Sequence, residues 1–211
     1  MVETSKNRSL FCIYYFQGMN VICATLKGQV YNLKMDKNGT EIWCINLDSP
    51  IFSTPLVIPP GSAIHTETSI LVSTVKGVIY KIDLNTKDIL WTLNTQMHVF
   101  APLSLIDIYA CVASREGKIH AIDISKGSIQ WSLNMENPIN AGICKVSTNE
   151  AIVVDNRANY KLIRPSDGFE LFHGSLNIGE TFSTPLMNST ANILLIGSRD
   201  DNLYCFSTGK K

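Results

Sequence analysis

The sequence predicts an all-β fold made of repeated four-stranded antiparallel units. Three observations carry that prediction. Five stretches of the 211-residue chain can be laid over one another, each an apolar, β-rich run, a turn centred on or near glycine, and a second apolar run. A large aromatic follows each of the first four hairpins, with spacings of 48, 40 and 41 residues. No stretch shows the 3.6-residue apolar period of a helix.

The hairpins are VICATLKGQVYNLK from Val21, ILVSTVKGVIYKID from Ile70 and ACVASREGKIHAID from Ala110, with weaker copies AIVVDNRANYKLIR from Ala151 and ILLIGSRDDNLYCF from Ile193. Gly28, Gly77 and Gly117 mark their turns, because a positive φ costs glycine least. Ala158 and Asp201 hold the matching places, and their neighbours Asn159 and Asn202 also tolerate left-handed geometry, so the turn is free to shift by one residue there. A second turn follows each of the first four copies: Asn38-Gly39, Lys87-Asp88, Lys126-Gly127 and Asp167-Gly168. Then come the recurring aromatics, Trp43, Trp91, Trp131 and Phe172. Two units add the tetrapeptide Phe-Ser-Thr-Pro, at Phe52 to Pro55 and Phe182 to Pro185, with a shortened version at Phe100-Ala-Pro102.

A period near 40 with four short strands per unit is the signature of a β-propeller, one repeat per blade. The long first interval is accounted for by an extra surface loop, Pro59 to Ser69. The runs Val78 to Ile82 and Ile119 to Ile122 are apolar on both faces, as expected of blades sandwiched between neighbours. Trp43, Trp91 and Trp131 are then the wedges between blades. Residues 21–206 form the repeats, 1–20 are expected to carry a partial strand of a preceding blade, and 207–211 are a tail. Four to five blades are visible; set against the seven or eight blades of closed quinoprotein-type rings, whose repeat the chain resembles as described below, an incomplete ring belonging to a longer protein is expected.

Composition narrows the function classes. Eighteen basic residues balance eighteen acidic ones, which speaks against a nucleic-acid footprint or a polybasic membrane anchor. No apolar run approaches the roughly 20 residues of a membrane helix. The short aromatic run Leu10 to Phe16 reads as a strand and not an export signal, so a cytoplasmic location is expected. The six cysteines show no C-x-x-C pair and no zinc-type spacing, and reduced, mostly buried thiols are the simplest reading. The sequons at Asn7, Asn38 and Asn188 are read as chance matches without such a signal.

The tryptophans precede Cys44, Thr92 and Ser132 and not Asp, which disfavours WD40 repeats. The pattern G-x-I-x-A-I-D-x-x-x-G-x-x-x-W at Gly117 to Trp131 resembles the quinoprotein, or PQQ-like, propeller repeat. Gly77 to Trp91 is similar, with Asp88 taken at the second Gly position. More narrowly, PIFSTP, ETFSTPL and IGSRDDNLYCF resemble the C-terminal propeller of the β-alanine-activating enzymes, acyl-CoA synthetase family member 4. That resemblance implies an accessory domain behind an adenylating domain and a carrier domain, binding a protein partner or other domains of its parent chain.

Quinoprotein dehydrogenases hold pyrroloquinoline quinone and calcium, but none of their cofactor, metal or catalytic residues can be matched here. Asp83 and Asp123 recur at one repeat position, where a turn-capping role is expected. His120 stands where other copies have Tyr31, Tyr80 and Tyr204, a packing position. The serines of the two Phe-Ser-Thr-Pro motifs read as local caps. Cys111 and Cys205 lie in apolar runs that raise a thiol pKa. GSRDD at Gly197 to Asp201 reads as a hairpin turn and not a phosphate cradle. The expectation is therefore a non-catalytic segment without cofactor, metal, nucleic-acid or membrane ligands. The rival readings are a fragment of a quinone-dependent dehydrogenase and a stand-alone scaffold propeller.

Overall fold

The structure is a computed structural model describing residues 10–15, 20–36, 39–60 and 68–207. It divides into two compact units, residues 1–103 with 125–127, and residues 104–124 with 128–211.

The first unit holds two sheets. β1 (Leu10–Tyr15), β2 (Asn20–Thr25), β3 (Gln29–Lys34) and β4 (Glu41–Asn46) form one, and β5 (Leu56–Ile58), β6 (Ser69–Ser73), β7 (Val78–Asp83) and β8 (Ile89–Asn94) the other. The second unit holds three. They are β9 (Ser104–Ile106) to β12 (Ser128–Asn134) through β10 (Tyr109–Ala113) and β11 (Lys118–Asp123); β13 (Cys144–Ser147) to β16 (Glu170–Ser175) through β14 (Glu150–Val154) and β15 (Asn159–Ile163); and the three-stranded β17 (Leu186–Asn188), β18 (Ile193–Gly197) and β19 (Leu203–Ser207). Each strand pairs antiparallel with its sequence neighbour, and no helix occurs among the described residues. The fold is all-β, with four four-stranded antiparallel sheets, as the repeat predicts, and one of three strands among the described residues.

Three boundaries differ from expectation. Leu10–Tyr15 does not serve a preceding blade: it pairs with β2, Ile13 opposite Cys23 and Tyr15 opposite Val21, and completes the first sheet. A short connection makes the local hairpin the nearest partner for its backbone groups. Ser207 is no tail residue, since it pairs with Ile193 in β19. The αL residue of the second turn in the second sheet is Lys87 (φ 68°), not Asp88, in register with Gly127 (φ 65°). Asn7, Asn38, residues 61–67 of the long loop and residues 208–211 lie outside the described residues.

Packing explains the strands that are apolar on both faces. β6 is buried at all five positions. In the first unit Ile22, Val30 and Ile51 meet Ile70, Val72 and Ile82 of the facing sheet. In the second, Ile152 and Val154 meet Leu194 and Ile196. At roughly 25 cal/mol per Å² of apolar area, each such sheet-to-sheet contact is a major source of stability.

Candidate functional site

The β2–β3, β6–β7, β10–β11, β14–β15 and β18–β19 turns are built alike. Gly28, Gly77 and Gly117 have φ of 79°, 74° and 76°, and Ala158 and Asp201 adopt the same geometry at 61° and 64°. The turn does not slide onto Asn159 or Asn202. A side-chain acceptor three residues before the αL position holds each of the first four turns in place. Thr25 Oγ1 accepts from Gln29 N, Thr74 Oγ1 from Val78 N, Ser114 Oγ from Lys118 N and Asp155 Oδ1 from Asn159 N, at 3.0–3.2 Å.

The αL carbonyl then fastens the loop leaving the same sheet: Leu47 N donates to Gly28 O, Thr95 N to Gly77 O, Met135 N to Gly117 O and Leu176 N to Ala158 O. These loops press so close that a Cβ on Gly77 would lie 2.2 Å from Met97 O. The following turn is fastened to the same loop, with Val75 N donating to Pro50 O, Asn156 N to Pro138 O and Arg199 N to Glu180 O. The tips so fixed carry exposed charge: Lys27 and Lys76 in the first unit, Arg115, Arg157, Arg199 and Asp200 in the second.

The aromatic positions fall at one register. Trp43, Trp91, Trp131 and Phe172 stand opposite Asn32, Lys81, Ala121 and Leu162. In the first unit Trp43 reaches the second sheet, donating from Nε1 to Leu84 O at 3.1 Å, and Gly127 lies under Trp91. In the second unit Trp131 donates to Pro165 O at 2.9 Å, and a Cβ on Gly168 would sit 2.5 Å from its ring. Trp43 and Trp131 are 8% and 9% exposed, whereas Phe172 is 59% exposed.

The groups singled out for chemistry hold structural posts. Asp83 Oδ1 accepts from Asn85 N and Thr86 N at 2.7 and 2.9 Å, a closed Asx turn. Burial, with Lys118 nearby, pushes the His120 imidazole below its ordinary pKa, and its Nδ1 lies 2.7 Å from Ser132 Oγ. Ser53 Oγ is 2.7 Å from Ser73 Oγ, and Ser183 Oγ donates to Gly197 O, so each motif serine ties the approach to an inner strand to the second strand of its own sheet. The aromatics of these motifs pair locally: Phe52 tilts against Phe100 at 5.2 Å, and Arg199 lies over Phe182. Burial, and secondarily Asp107, pushes the Cys111 thiol up to about 12, which makes it inert as a nucleophile at neutral pH. Cys205 differs from expectation: the strand alternates, and it is exposed. Cys23, Cys44, Cys111, Cys144 and Cys205 are all free thiols.

Two concavities among the described residues lie in the second unit. The smaller, about 340 Å³, surrounds Lys161, Glu170 and His173. Glu170 takes Lys161 Nζ at 2.8 Å and His173 Nδ1 at 2.6 Å, and these partners, Lys161 first, hold its carboxyl below the usual range. A carboxylate so neutralised is a poor base. The larger, about 830 Å³, opens between the fourth and fifth sheets and is lined by Tyr160, Phe172, Leu176, Met187, Leu194 and Phe206 with Lys145 and Glu150 among its polar residues. Among the described residues no cluster of three or more His, Cys, Asp or Glu side chains could hold a metal ion. Sequence reasoning missed this groove, which depends on what two sheets leave uncovered.

Set beside solved structures, the chain is a β-propeller. It is similar to BamB from Moraxella catarrhalis (TM-score 0.75, 17% identity, covering 93% of this chain and 57% of that one). It is also similar to the computationally designed Ika8 protein (TM-score 0.73, 17% identity, 92% and 57%). The chain thus spans about 57% of either structure's length. With 1627 solved chains matching, the likeness defines an architecture and leaves function open. No family model matches the chain, and no curated protein matches it in sequence.

Proposed function

We propose that this chain is a non-catalytic interaction propeller, the accessory C-terminal domain of an ATP-dependent acyl-adenylating enzyme of the β-alanine-activating type. It acts in the cytoplasm, and its ligand is a protein partner or another domain of its parent chain. One observation carries the interaction reading: in the second unit, turn tips bearing Arg115, Arg157 and Arg199 are exposed on loops fastened by recurring backbone hydrogen bonds. Such a surface meets a partner with little loss of conformational entropy. The roles of Asp83, His120, Ser53 and Ser183 within their own sheets support the non-catalytic part. The parent rests on the sequence resemblance of the Phe-Ser-Thr-Pro segments and of Ile196 to Phe206.

Two measurements test it. Immunoblotting for these residues in cells is expected to reveal a cytosolic polypeptide far heavier than 23.4 kDa. A band at that mass contradicts the multidomain parent. Titration with pyrroloquinoline quinone and calcium is expected to leave tryptophan fluorescence unchanged. Saturable quenching overturns the non-catalytic reading.

A further inference from the structure

We draw no further inference here: the strongest candidate, the charged concavity of the second unit lined by Glu136, Lys161, Glu170 and His173, carries nothing, because Lys161 and His173 already pair with Glu170 and no unpartnered buried side chain among the described residues lines it.

Discussion

Trp131 and Phe172 occupy one register position in successive repeats of the second unit, opposite Ala121 and Leu162, yet Trp131 is buried and Phe172 lies open. Strand position does not separate them. What separates them is the neighbouring turn: Pro165 offers Trp131 a carbonyl and Gly168 offers its ring a surface without a side chain. The wedge is therefore a property of two repeats, and a repeat read alone cannot say whether its aromatic is core.

The sharpest way to break the comparison is to truncate both rings. Trp131→Ala is expected to cost about 3–5 kcal/mol in urea denaturation, because a large cavity opens and the Pro165 carbonyl loses its donor. Phe172→Ala is expected to cost under about 1 kcal/mol, as for an exposed residue. Next in size is the supporting surface. Gly168→Ala forces a positive φ on alanine and drives a methyl into the Trp131 ring, a loss of about 2–3 kcal/mol by the same measurement.

A third variant sharpens the backbone side of the argument. Ala158 already holds a positive φ of 61°, so Ala158→Gly is expected to gain about 0.5–1 kcal/mol in unfolding free energy. The mirror change Gly77→Ala is expected to lose more than that gain, since its methyl would meet the Met97 carbonyl. The smallest effect concerns pH. Lys161 and His173 depress the Glu170 carboxyl in the folded state, so its contribution is present above the ordinary carboxylate pKa of 4.5 and lost as pH falls through the folded value. Acid titration of stability should show this shallow loss in the parent protein and not in Glu170→Gln.

Much of this architecture was legible in the residues. Glycine at 28, 77 and 117 and the likeness of the weaker copies located the five repeat hairpins, because local turn chemistry is written locally. The exceptions are instructive. Nothing in the pair Ala158-Asn159 says which residue takes the left-handed conformation; Asp155, three residues before Ala158, fixes it by accepting from Asn159 N. Lys87 was hidden by an adjacent Asp88 that looks more turn-like. Leu10–Tyr15 could not be assigned to a blade from its own pattern, since pairing is decided between strands. The acceptors of the tryptophans, Leu84 O and Pro165 O, are backbone atoms 41 and 34 residues away, invisible to any side-chain motif. The groove beside Phe172 was illegible for the same reason.

The account stands on the indoles being clamped between sheets, and their own N–H protons report it without altering the protein. Amide and indole hydrogen exchange followed by NMR is predicted to find the Nε1 protons of Trp43 and Trp131 strongly protected, exchanging only with global opening. Exchange of either proton at the rate of a solvent-exposed indole would contradict the wedged-sheet architecture.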